Sequence, residues 1–135
     1  MSKLLIVGIV ALLGIGAYGF TKLPNASKDG DVTDSGQKFS TVSQEDSEGR
    51  AVLYDVRTPE EYATGHFTGA INFPLQDLEL NKLPQVAKGS KIYIYCRSGN
   101  RSAQFQQLLS KQGYTNSVDL GGLGNVEAMG GKLIK

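Results

Sequence analysis

The chain has 135 residues, a formal net charge of +1, 20% charged residues and 40% hydrophobic residues, the balance of an ordinary globular protein with room for one compact domain. The near-zero charge argues against a strong electrostatic partner, and neither a nucleic-acid footprint nor a basic membrane-binding stripe stands out. One cysteine, Cys96, and one histidine, His66, exclude an internal disulfide, a zinc site built on several cysteines and a His-rich metal site.

After Met1, Ser2 and Lys3 comes an uncharged apolar run from Leu4 to Phe20. It is long for a buried helix of a small domain and close to the lower limit of ~17 residues for crossing a bilayer. Read as a signal peptide, residues 1–20 have a basic n-region in Lys3, an apolar h-region, and small residues at Ala17 and Gly19 where cleavage requires them. Read as a membrane anchor, the run stays as a spanning helix flanked by Lys3 and Lys22. Its length favours the anchor; Ala17, Tyr18 and Gly19 favour cleavage. A core helix is disfavoured because the run has no polar face. Both preferred readings put the rest of the chain outside the cytoplasm, in a periplasmic or similar compartment, if Lys3 stays inside. Residues 21–38 read as a flexible linker, since Asn25 to Gly36 is rich in small polar side chains with little to bury.

The folded domain is expected over residues 39–135. Ser40 to Ser47 reads as a short helix entered through a Ser or Thr cap. Ala51 to Val56 is a short apolar run with β-branched residues, a buried strand. Thr58, Pro59 and Glu61 mark a helix start, with Thr as N-cap, Pro in the first turn and Glu three residues after the cap. Gly65 to Gly69 reads as a turn, Ala70 to Phe73 as a short strand ended by Pro74, and Leu75, Leu78 and Leu80 as one or two helical turns. Lys91 to Tyr95 is a strong strand running straight into Cys96. Ser102 to Gln112 is a helix with Phe105, Leu108 and Leu109 on one face and Gly113 as its stop. Ser117 to Leu120 is the last expected strand, before Gly121 and Gly122. Strands alternating with helices indicate an α/β domain with a mostly parallel sheet flanked by helices.

The segment Tyr95-Cys96-Arg97-Ser98-Gly99-Asn100-Arg101-Ser102 carries the chemistry. It follows a strand and opens a helix, the place where α/β sheets bind ligands. The helix N-terminus presents unpaired N–H groups that favour an anion. Gly99 lets the backbone curl around a ligand, and Arg97 and Arg101 add positive charge on either side. Each effect favours thiolate over thiol, so Cys96 is expected to be nucleophilic at neutral pH. The same cradle suits an anionic sulfonate-like, phosphate-like or persulfide group. The bland alternative, a free core cysteine, fits poorly with Arg-Ser-Gly-Asn-Arg immediately after it.

Asp55-Val56-Arg57-Thr58-Pro59-Glu60-Glu61-Tyr62, then Gly65-His66, Gly69 to Asn72, and Tyr95 to Ser102 resemble the successive motifs of the rhodanese family. The likeness continues through Gly113, Tyr114, Asp119, Gly121 and Gly122, and covers about residues 39 to 130. Each motif alone is weak; their order and spacing carry the match, which is to the small, single-domain, exported members. The resemblance implies a sulfurtransferase without a cofactor. Cys96 would attack the outer sulfur of thiosulfate or a similar donor, and cyanide or a thiol would take that sulfur from the resulting persulfide. It also implies donor binding by Arg97, Ser98, Gly99, Asn100, Arg101 and Ser102, with Arg101 also able to brace the loop. Many family members carry an aromatic residue in a final helix after Gly-Gly. Gly121 to Met129 has none, so this end is expected to pack differently.

Other residues are read as structural. His66 lies in a Gly-flanked turn, and hydrogen bonding there outweighs a Cys–His hydrolase. Asp55 and Arg57 read as an ion pair or backbone brace near the active face. Glu60 and Glu61 read as first-turn helix charges, and packing explains Tyr93 and Tyr95. Two other functions compete. A thiol-based phosphatase or arsenate reductase also sets Cys before a helix with an oxyanion-binding Arg. Here Arg97, Ser98, Gly99 and Asn100 separate Cys96 from Arg101, one residue fewer than the usual phosphatase loop, which suits a sulfur atom better than a tetrahedral phosphate. A tethered redox-sensing module is the non-catalytic alternative, because an exposed low-pKa thiol oxidises readily. A monomer is the default state for so small a domain.

Overall fold

The computed structural model describes residues 37–135; the signal-peptide and anchor readings, and most of the linker, lie outside the described residues. Among the described residues no helix is long and apolar enough to cross a membrane. The elements are α1 (Phe39–Ser47), β1 (Ala51–Asp55), α2 (Pro59–Thr64), β2 (His66–Phe67), β3 (Ile71–Asn72), α3 (Leu75–Glu79), β4 (Lys91–Tyr95), α4 (Asn100–Lys111), β5 (Ser117–Gly121), α5 (Leu123–Ala128) and β6 (Leu133–Ile134).

Most of the expected elements are present, and the differences have local causes. Helix α1 begins on Phe39 with Lys38 at the N-cap and no side-chain cap, so the expected Ser or Thr cap is absent. What fixes this end is burial of Phe39 and Val42, together with the Phe39 N–H donating to the Met129 carbonyl (2.9 Å). Gln37, on the linker side by sequence, donates from Nε2 to the Tyr93 hydroxyl (2.9 Å). The Thr58 box closes as expected: Thr58 Oγ1 accepts from the Glu61 N–H (3.2 Å) and Glu61 Oε2 accepts from the Thr58 N–H (2.9 Å). The Gly65–Gly69 segment is only partly a turn, because His66 and Phe67 pair antiparallel with Ile134 and Leu133. Helix α4 starts at Asn100, two residues before Ser102, so Arg101 belongs to its first turn. Helix α5 and strand β6 carry no strong sequence periodicity. Val126 is the buried residue of α5, with Leu123 and Met129 packed in the same cluster.

The main sheet has strand order β3-β1-β4-β5 and is parallel throughout. Both its faces are covered, which is why β1 and β4 read as continuous apolar runs. Alternation along the strands divides the core. Val52, Tyr54, Ile92 and Ile94 face α3 and α4 through Leu75, Leu78, Phe105 and Leu109. Leu53, Tyr93 and Tyr95 face the other way, onto Phe39, Val42, Phe67 and Val126. From β1 the chain moves outward to β3, then returns to the opposite side of β1 as β4. The order therefore reverses between β1 and β4, and the carboxyl ends of strands at such a switch point are where α/β sheets bind ligands. Asp55 is level with Tyr95 there, and Cys96 is the next residue.

Candidate active site

Cys96 sits where β4 gives way to the loop before α4, and β5 holds that loop from the side. The β4–β5 register shifts between Ile94, opposite Asp119, and Tyr95, opposite Gly121. The slip leaves Leu120 unmatched and twists the strand end, as bulges near functional sites do. Asp119 Oδ1 secures it by accepting the Gly121 N–H (2.8 Å). The Gly121 carbonyl then accepts the Cys96 N–H (3.0 Å), and the Arg97 carbonyl accepts the Leu123 N–H (3.1 Å). Between these two bonds Ser98 and Gly122 form an isolated antiparallel bridge. Gly122 has no room for a side chain: a Cβ there would lie 2.6 Å from the Arg97 carbonyl oxygen and 3.0 Å from Ser98 Cα. The Gly121-Gly122 pair is thus the seat of the cysteine loop.

Within the loop, Gly99 takes φ +98°, a left-handed conformation that turns its N–H onto Cys96 Sγ at 2.9 Å. Sγ also lies 3.5 Å from Ser102 Oγ, to which the thiol donates, while the Ser102 hydroxyl donates to the Gly99 carbonyl (3.0 Å). Burial pushes the thiol pKa up, but hydrogen bonds from the Ser102 hydroxyl and from the backbone N–H groups of Ser102, Gly99 and Ser98 outweigh it, and the net shift is downward. A Ser102 hydroxyl that turns from the Gly99 carbonyl to the sulfur supplies the side-chain share of that effect. Cys96 has no exposed surface. The exposed thiol on which redox sensing rested is therefore not what the fold presents; the side chain belongs to the α3–α4 core cluster and is wrapped by its own loop.

The other loop residues divide by exposure. Arg97, Ser98 and Asn100 are exposed, Gly99 and Arg101 half-buried, and Ser102 fully buried. Arg97 makes no side-chain hydrogen bond or ion pair among the described residues. Arg101 is committed: Nη1 and Nη2 donate to Glu61 Oε2 (2.6 Å) and Oε1 (2.9 Å), a fork-on-fork pair. The Arg101 guanidinium is the main cause that holds the Glu61 carboxyl at a pKa of about 2. Of the two arginines read as flanking the thiol, one is free and one braces α4 against α2. Glu61 is more than a first-turn charge, because one carboxylate caps α2 and holds Arg101.

Beneath the loop, at the end of β1, Asp55 and Arg57 form the expected ion pair, fully buried, with Arg57 Nη2 at 2.6 Å from Asp55 Oδ2. Arg57 Nη2 also donates to the Gly65 carbonyl (2.6 Å). Tyr95 donates its hydroxyl to Asp55 Oδ2 (2.9 Å) and accepts the Phe67 N–H (3.2 Å). Packing alone therefore does not account for Tyr95. Asn72 Nδ2 donates to the carbonyls of Asp55 (3.0 Å) and Arg57 (2.9 Å), a brace that gives the last residue of the Gly69 to Asn72 motif a role the sequence does not state. His66 lies flat against Tyr62, ring centroids 3.9 Å apart, with Nδ1 3.1 Å from the Tyr62 carbonyl. It makes no hydrogen bond to Cys96, in keeping with a structural role.

Comparison with known proteins adds names to this geometry. The chain is 38% identical over 73 residues to thiosulfate sulfurtransferase PspE of Escherichia coli (strain K12), across 53% of this chain and 70% of that protein. It is 35% identical over 78 residues to the thiosulfate:glutathione sulfurtransferase of Saccharomyces cerevisiae (strain ATCC 204508 / S288c), across 49% of this chain but only 56% of the yeast protein. Among solved structures, a rhodanese with anions from E. coli superposes with a TM-score of 0.53 at 33% identity, covering 63% of this chain and 98% of that one. The pattern of the rhodanese-like domain matches residues 39–126, the stretch that builds the sheet, the cysteine loop and its Gly-Gly seat, and the chain belongs to the rhodanese-like domain family.

Proposed function

We propose that this domain transfers sulfane sulfur from an anionic donor such as thiosulfate to a thiol or cyanide, with Cys96 as the carrier. The observation that carries the reading is the Gly99 N–H held on Cys96 Sγ, in a loop whose hydrogen bonds bring the thiol pKa down, built at the sheet's switch point and shared with the free guanidinium of Arg97. In the first step the Cys96 thiolate attacks the outer sulfur of thiosulfate. A new S–S bond forms, the old one breaks, and sulfite leaves with the electron pair. In the second step an acceptor thiolate or cyanide takes the outer sulfur, giving a new persulfide or thiocyanate and returning the Cys96 thiolate. The terminal persulfide sulfur carries the negative charge in between, and the loop N–H groups and the α4 N-terminus stabilise it.

Because Cys96 is buried, the exposed part of the loop, Arg97 to Asn100, yields to let a donor reach Sγ. Arg97 attracts and orients the donor's anionic end; Arg101 acts as the brace. The apolar run from Leu4 to Phe20 supports placing this reaction outside the cytoplasm. The test is direct. The full chain treated with thiosulfate gains one sulfur by intact-mass spectrometry, cyanide discharges it as thiocyanate, and Cys96→Ser gains nothing. Folded protein that stays unmodified, or that instead hydrolyses a phosphate monoester or reduces arsenate, overturns the reading.

A further inference from the structure

We infer that Glu61 is a positioning residue for the cysteine loop: its carboxylate holds Arg101 away from the donor and cancels its charge, leaving Arg97 as the one guanidinium free to recruit an anion. This deepens the sulfur-transfer reading and rests on it for the donor's identity, though not for the charge at the sulfur.

The geometry supports it on three counts. The pairing is bidentate, at 2.6 and 2.9 Å, and uses both terminal nitrogens of Arg101, so the face with which a guanidinium grips an oxyanion is occupied. Glu61 is itself held, because Oε2 also accepts the Thr58 N–H (2.9 Å) of the α2 cap, which removes the freedom a surface glutamate would have to swing aside. Arg101 stands on the first turn of α4, one residue before Ser102, whose hydroxyl touches Sγ, and Cys96 is among the groups whose charge acts on Arg101. Burial pushes the Cys96 thiol up while loop hydrogen bonds bring it down; a cation freed from its partner adds to the downward side. The charged and titratable groups around this point are Glu61 on α2, Asp55 with its partner Arg57 at the end of β1, Tyr95 on β4, Arg97 in the loop and Asp119 on β5. Asp55 and Arg57 compensate each other, and Asp119 is engaged with the Gly121 N–H. Glu61 is therefore the partner whose removal changes the net charge beside Arg101 with the rest of the site in place.

Glu61→Gln is the clean variant. Glutamine keeps an oxygen for the Thr58 N–H and so keeps the cap, while the charge is gone. The Cys96 titration is followed in the full chain by thiolate ultraviolet absorbance, with Cys96→Ser as the blank, so a buried thiol is read without a reagent. The expected result is a midpoint lowered by about half a pH unit and a thiosulfate KM lowered by ~3-fold, as the freed Arg101 joins Arg97 in binding the donor. Glu61→Asp, which keeps the charge on a shorter arm, is expected to return the midpoint most of the way to wild type. An unchanged midpoint in folded Glu61→Gln overturns the inference, as does a fall in kcat with both midpoint and KM unchanged, which is the mark of a plain structural brace. If no variant takes sulfur from thiosulfate but the midpoint still shifts, the sulfur-transfer reading falls and the charge relation between Glu61, Arg101 and Cys96 stands.

Discussion

A buried ion pair stands or falls by its partners, and at the end of β1 the Asp55 carboxylate has three: the Arg57 side chain, the Arg57 N–H and the Tyr95 hydroxyl. Among the described residues no buried side-chain N or O lacks a hydrogen-bond partner, so removing one member leaves a debt in the rest. Arg57→Met keeps the length of the aliphatic stem but strands the Asp55 carboxylate away from water. The expected loss is about 3–5 kcal/mol of folding stability, measured as a shift in the urea midpoint. A loss below ~1 kcal/mol would mean that water reaches Asp55 and that the pair is worth no more than a surface bridge. The pair itself is legible from sequence, because Asp55 and Arg57 follow a strand two residues apart. The Tyr95 hydroxyl is not. Alternation with Ile94 assigns it an inward side chain, but its polar partners come from β1 and β2, and which strand lies next to which is settled by chain order in the sheet, not by period.

At the scale of elements, the cysteine loop is shaped by two glycines for different reasons, and the difference is testable. At Gly99 the limit is backbone conformation: φ is +98°, while the nearest atoms to a Cβ are at an ordinary 3.8 Å. At Gly122 the backbone is extended, with φ −89°, and the limit is space, because a Cβ would press on the Arg97 carbonyl at 2.6 Å. Gly99→Ala is expected to cost about 1–2 kcal/mol of strain and to pull the N–H away from Sγ. Gly122→Ala is expected to push the loop off its seat, with a cost of about 1–3 kcal/mol and at least a ~10-fold loss in the rate of persulfide formation, read by mass spectrometry in a timed thiosulfate reaction. Wild-type rate in Gly122→Ala would show that the seat does not set the loop. The strand-loop-helix unit around Cys96 is visible in the sequence since a strong strand, a glycine and a helix start sit in order. Its seat is not, because Gly121-Gly122 reads equally well as a plain turn until β5 is paired with β4 one residue out of step. The early start of α4 is hidden for a related reason: Gly99 takes the N-cap with no side-chain cap, so no Ser, Thr, Asp or Asn marks the boundary. The helix α5 is six residues with one buried side chain, too short for a periodic signal.

Across the whole molecule, the Glu61–Arg101 pair joins the two halves of the fold, since α2 follows β1 and α4 follows β4, the strands between which the chain order reverses. Protons act on that join. The Glu61 pKa is lowered from 4.5 to about 2, chiefly by Arg101. A carboxylate whose folded pKa lies below its unfolded value binds protons more readily in the unfolded chain. Its contribution is therefore fully present above the ordinary carboxylate range and is lost as pH falls toward about 2. Both side chains are 27% exposed, which screens the pair and limits the effect to ~1 kcal/mol, or about 4–8 °C in Tm for a domain of this size. Glu45, whose pKa is lowered first by the Tyr93 hydroxyl and then by Lys91, titrates in the same direction, so the fall in the wild-type curve has more than one source. The difference between wild type and Glu61→Gln isolates this one. The variant should start lower near neutral pH and meet the wild type as pH drops below about 2, because protonation then removes from the wild type what the substitution has already removed. Parallel curves across that range would mean that the carboxylate exchanges Arg101 for water at no net cost. The link between the halves would then rest on the β1–β4 hydrogen bonds and the Gly122 seat, which are made by backbone groups that do not titrate.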